Sequence, residues 1–121
     1  MAPERDARIT PERLDWFDRL IAAQPGVERK GATMPYTSVN GNMFAFLSAT
    51  GSLALRLPAG ERETFSARFG TSLHVAHGTV MKEYVTVPDD LFADPVALAP
   101  FFKASHAYVS GLRQKATKRS P

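Results

Sequence analysis

A chain of 121 residues with 44% hydrophobic and 22% charged side chains suits one soluble domain with a single core and excludes wholesale disorder. It has no cysteine, which excludes disulfides, thiolate zinc sites, iron–sulfur clusters and cysteine nucleophiles. The net charge of +3 belongs to the end of the chain: Arg113, Lys115, Lys118 and Arg119 are basic with no acid among them, leaving 11 basic against 12 acidic side chains in residues 1–112.

The opening segment, residues 1–9, mixes both charges without an apolar core, so it reads as a flexible N-terminus and not as a signal peptide. Thr10-Pro11-Glu12 then starts a helix, with Thr as N-cap, Pro at the first position and an acid near the positive dipole end. Leu14, Phe17 and Ile21 recur on one face, widened by Trp16 and Leu20, until Gln24-Pro25-Gly26 stops the helix.

Strands follow. Val27 to Met34 is a polar candidate for an edge strand. Tyr36–Val39 and Asn42–Ser48 flank Asn40-Gly41, the pair that supplies both positive-φ residues of a type I′ hairpin turn. Ala49 to Ser52 makes a second turn, and Leu53, Leu55 and Leu57 alternate with Ala54 and Arg56. Pro58 ends that strand. Residues 59–69 read as a short helix closed by Gly70, 71–75 are ambiguous, and Val80–Val87 is another strand ended by Pro88 and an Asp89-Asp90 turn. Asp94-Pro95 repeats the cap-then-proline start. Because Pro100 lacks an amide hydrogen, the sequence predicts a short first turn and a main helix beginning near it.

The order α-β-β-β-β-α-β-α, with tight turns between successive strands, predicts a two-layer α+β single domain over residues 10–112. Its sheet is mainly antiparallel and its helices cover one face. Residues 113–121 are expected to form a flexible basic tail. No apolar run reaches the roughly 18 residues of a membrane span, so a cytoplasmic protein without membrane partners is expected.

Several landmarks resemble the TfoX N-terminal domain, a module of bacterial competence regulators. They are the helix ending in Pro25-Gly26-Val27, the run Val39-Asn40-Gly41-Asn42-Met43-Phe44, and Leu55-Arg56-Leu57. Gly78-Thr79-Val80-Met81, Tyr84-Val85-Thr86-Val87 and an aromatic-rich last helix complete the set. The resemblance runs from about Thr10 to Leu112 and rests on hydrophobics and turns, so it speaks to fold more than to chemistry. It implies a two-layer fold similar to the YjbR family, some members of which are described as DNA-binding, and a role in competence or transcription-related regulation. Residues 31–35 are less apolar than the phenylalanine- and glycine-rich strand the family leads one to expect there.

Catalytic motifs are missing from the sequence. There is no Gly-x-Ser-x-Gly elbow and no Gly-Lys-Ser/Thr phosphate loop, and Asp89-Asp90 suits a turn better than paired acid–base work. His74 and His77, three apart on a strand, point to opposite faces and do not converge on a metal. No enzyme activity, cofactor or metal is expected. Pleat alternation places Met81, Val85 and Val87 towards the helices and turns Lys82, Tyr84 and Thr86 the other way, as it does Arg56. Arg56, Lys82 and Tyr84 are therefore candidates for a binding surface on the uncovered sheet face. The tail residues Arg113, Lys115, Lys118 and Arg119 are candidates for anion or nucleic-acid contact. Phe44 and Phe46 lie opposite Met43 and Leu47, so one pair needs a cover other than the helices, and Phe44 and Phe46 are candidate interface residues. Three readings follow: a non-catalytic interaction or regulatory module that binds a protein partner or itself as a homo-oligomer; a nucleic-acid-binding accessory protein; and a small-molecule-binding domain or enzyme of unknown chemistry.

Overall fold

Thr10 caps the first helix, α1 (Pro11–Ala22), its hydroxyl oxygen accepting the Arg13 amide at 3.1 Å. The computed structural model describes residues 9–31, 34–76 and 78–112. Phe17, Leu20 and Ile21 are buried as the apolar spacing predicts, with Leu14 and Trp16 packed beside them. Arg13 anchors the outer side of α1. Its guanidinium donates to both Asp89 carboxylate oxygens, at 3.0 and 2.8 Å, and to the Gly51 carbonyl at 2.8 Å.

Strands β1 (Tyr36–Val39) and β2 (Asn42–Leu47) form the expected hairpin. Asn40 and Gly41 take φ of 55° and 78°, the left-handed pair of a type I′ turn. Next come β3 (Leu53–Arg56), helix α2 (Ala59–Phe69), β4 (Leu73–Ala76) and β5 (Thr79–Val87). The one-turn helix α3 (Asp89–Phe92) and the long helix α4 (Pro95–Ser110) complete the chain. All pairings are antiparallel, in the spatial order β1-β2-β3-β5-β4. The protein is thus α+β, with helices packed on one face of a five-stranded sheet.

Two segments differ from the sequence reading. The described residues between 27 and 34 contribute only an isolated bridge, with Lys30 and Tyr36 exchanging amide-to-carbonyl bonds at 2.8 and 2.9 Å. Glu28-Arg29-Lys30 offers no alternating apolar face to bury, and Gly31 at φ 86° breaks the extended run. The fifth strand comes instead from Leu73–Ala76. Helix α4 is continuous through Pro100. The carbonyl left without an amide donor is that of Val96, on the exposed side of the helix, where water can serve it.

The main core lies between sheet and helices. Phe44, Leu47, Leu53, Leu55, Val85 and Val87 meet Phe17, Phe65, Phe92, Phe102 and Val109 there. A second, smaller cluster occupies the opposite sheet face: Phe46, Ala54 and Tyr84 are buried, with Tyr36, Met43 and Met81 packed around them. No described helix is long and apolar enough to cross a membrane.

Candidate functional site on the second sheet face

The second face is shaped by two irregularities in the ladder. Between β1 and β2 the register runs Thr37 to Ala45, then Ser38 to Met43, so Phe44 is an extra residue. Such a bulge re-aims the side chains around it. Phe44, Ala45 and Leu47 all join the helix-side core, while Met43 and Phe46 pack on the other face. The two phenylalanines, two apart in sequence, lie on opposite faces. Phe44 is fully enclosed against Phe102 and His106 under α4, and Phe46 contacts Tyr84 and His74. The cover for Phe46 is its own set of neighbours on that face.

The bulge releases two carbonyls from regular pairing, and side chains take them up. Tyr84 donates its hydroxyl to the Met43 carbonyl at 2.8 Å, Arg56 Nη1 reaches the same oxygen at 3.3 Å, and the Ser105 hydroxyl donates to the Phe44 carbonyl at 3.4 Å. Arg56 also donates through Nε to Glu83 Oε1 at 2.6 Å, and Tyr108 of α4 donates to Glu83 Oε2 at 2.8 Å. Burial pushes the Glu83 carboxyl up, but the donors Arg56 and Tyr108 outweigh it and hold the group below the usual carboxylate range. Burial raises the Tyr84 phenol, and the bond to Glu83 raises that of Tyr108.

The second irregularity lies between β4 and β5. Leu73 faces Val85, yet Val75 faces Val80, so His74 alone opposes residues 81–84. That odd surplus reverses the pleat of β5 part-way along it. Met81, expected in the helix-side core, packs instead with Phe46, Ala54 and Tyr84. Lys82 is exposed and borders a shallow depression with Arg62, Glu63 and Ser66 of α2. The three candidate binding residues therefore do not form one surface. Arg56 sits 6.0 Å above the Tyr84 ring with its guanidinium engaged by Glu83, Tyr84 is only 8% exposed, and Lys82 lies with the helix layer. Arg113, Lys115, Lys118, Arg119 and His77 fall outside the described residues.

His74, which the sequence offered only as half of an unlikely metal pair, is a buried member of this face. Its Nδ1 lies 2.9 Å from the Thr86 hydroxyl and its ring meets Phe46 edge-on at 5.4 Å. Nε2 is buried with no hydrogen-bond partner, and burial lowers the imidazole's affinity for a proton. The signal that could have found it is the small pair Ala54 and Thr86, which leaves room for two rings to meet across the sheet. Beside His74 a cavity of about 200 Å³ opens between Met34, Phe46, Ser48, Thr50, Val75 and Ala76. The hydroxyls of Ser48 and Thr50 bond to each other there at 2.8 Å. Among the described residues no group of three His, Asp or Glu side chains is placed to hold a metal.

By comparison with family models, the TfoX N-terminal domain matches residues 37–108. The chain belongs to the TfoX N-terminal domain family. That TfoX span runs from β1 into α4 and includes both ladder irregularities, the Arg56–Glu83–Tyr108 network and the lining of the His74 cavity apart from Met34. Helix α1 precedes it. No curated protein and no solved structure matches the chain.

Proposed function

We propose that this TfoX N-terminal domain is a non-catalytic interaction module, acting in the cytoplasm and engaging protein, either a partner or its own copies, through apolar surface at the β4 end of the sheet. One observation carries the reading. Most of the polar groups at the second face are spent on the fold itself, Tyr84 and Arg56 on the bulge carbonyl, Glu83 on Arg56 and Tyr108, and His74 through Nδ1 on Thr86, with its Nε2 buried. Meanwhile Met34, Val75 and Val80 stand exposed nearby. Groups already committed to structural bonds make poor general acids and bases, whereas exposed apolar side chains gathered at one edge suit contact with protein. A regulatory role fits a module of this kind.

Light scattering on the purified chain, from micromolar to millimolar concentration and at low and high salt, tests the reading. A mass that rises with concentration and persists in high salt would assign the contact to its own copies, and a monomer that binds partner protein with little regard to salt would assign it to a partner, since apolar contact is not screened. A strict monomer that takes up duplex DNA with affinity falling steeply as salt rises would assign the nucleic-acid role instead.

A further inference from the structure

Of the large apolar side chains exposed among the described residues, Val75 at 56% and Val80 at 49% lie on the β4–β5 pair, and Met34 at 43% borders the same cavity as Val75. Val75 and Val80 are cross-strand partners. Among the described residues, the edge strand β4 has β5 as its one neighbour. An edge strand exposes unpaired amides and carbonyls, and proteins usually guard such an edge with lysine, proline or inward-pointing charge. Leu73-His74-Val75-Ala76 carries no lysine, proline or charged side chain, and its shortness and irregular pairing with β5 are its guards. The cavity between Met34, Phe46, Ser48, His74, Val75 and Ala76 opens beside this strand.

The cavity's size and lining select its occupant. At about 200 Å³ it falls below the roughly 300–1,000 Å³ of pockets for drug-sized ligands, and it suits one side chain. No charged residue lines it among the described residues, so a charged side chain would be desolvated there without compensation from them. An open strand edge recognises extended backbone, and a pocket beside it recognises an alternate side chain; together they are the two parts of recognition by strand addition.

Resting on the interaction-module reading, we propose that β4 accepts an extended segment of a partner protein as an added strand, with one aliphatic side chain of that segment seated in the His74 cavity. The residues of the segment on either side of it would turn to the opposite face. A second globular copy fits less well. Four residues of edge span only about 14 Å at roughly 3.4 Å each, a small part of the 1,200–2,000 Å² or so that stable protein pairs bury, and a copy held there would leave the cavity empty.

The test uses the full chain and labelled, capped hexapeptides that alternate threonine with leucine, isoleucine or methionine, read by fluorescence polarisation and by amide hydrogen exchange. Saturable binding is expected, with slowed exchange at β4. Replacing the aliphatic positions of the peptide by aspartate should weaken binding at least roughly tenfold, the factor that burial of one aliphatic side chain supplies. Val75→Lys, which guards the edge, and Ala49→Phe, which fills the cavity mouth from an exposed turn, should each produce a loss of similar size. Both lie outside the core, so circular dichroism should report an intact fold. No saturable binding by any of the peptides, or binding indifferent to both variants, overturns the proposal. Protection of β4 on concentrating the chain alone, without peptide, overturns it in favour of a second copy. The mass of the chain alone reports on the broader reading, and the peptide titration reports on this one.

Discussion

Tyr84 and His74 look like chemistry in the sequence and act as structure in the fold. The Tyr84 hydroxyl closes the Met43 carbonyl at 2.8 Å, with Arg56 as a second, longer donor at 3.3 Å. Tyr84→Phe should therefore cost about 1 kcal/mol in urea unfolding, the net worth of one hydrogen bond whose acceptor keeps a partial partner. His74 predicts a pH dependence. Because burial lowers its folded-state pKa, the unfolded chain takes up the proton first as pH falls. Stability should hold above about pH 7 and decline as pH drops below about 6.5, the unfolded value, until the folded pKa is passed. His74→Phe should flatten that decline, and urea midpoints measured at closely spaced pH values would show it. Glu83 and Asp89 act in a separate, more acidic window. Their folded pKa values are depressed, so their contribution is present above the unfolded carboxylate pKa of about 4 and is lost as pH falls through the folded values.

At the scale of the element, the β2 bulge decides which side chains form the core. Asn40-Gly41 was legible because a type I′ turn needs two positive-φ residues and few residue pairs supply them. The bulge three positions later was not. Met43, Phe44, Phe46 and Leu47 violate a period of two however the strand is aligned, and this showed as a conflict over which phenylalanine needed a cover. The structure resolves it by inserting Phe44 as an extra residue. With Phe44 fully buried against Phe102, Phe44→Ala should destabilise the chain by roughly 3–5 kcal/mol, the usual cost of emptying a packed aromatic site. An unfolding midpoint within error of the parent would show that the α4 side does not depend on it. The reversal in β5 has the same origin. Nothing local in Val80 to Tyr84 says that His74 alone will oppose four residues, so Met81 and Lys82 exchange the faces that alternation predicts.

At the scale of the molecule, the sheet has one edge touched by the Lys30 bridge and one, at β4, left bare by the described residues. The exposed valines there do little for the stability of the isolated fold, and exposed substitutions generally stay within about 0.5 kcal/mol. The double variant Val75→Lys with Val80→Lys should therefore keep its unfolding free energy while losing any self-association seen by light scattering. A large fall in stability would mean that this edge is packed by the chain itself. Helix α1 is tied to the turn before β3 and to α3 through Arg13, so the helix layer should unfold together with the sheet.

The sequence by itself determined the class of fold, the caps of α1 and α4, the stop after α1, the first hairpin turn and most of the helix-side core. Each of these follows from local stereochemistry or from apolar spacing within one element. Only the tertiary structure decided that Lys82 and Tyr84 lie apart, that Phe44 and Phe46 face opposite ways, and that His74 stands beside a cavity at a bare edge. Those outcomes depend on how many residues one strand sets against its neighbour. A strand's own sequence does not contain that count, because the hydrogen bonds that fix it belong to the pair.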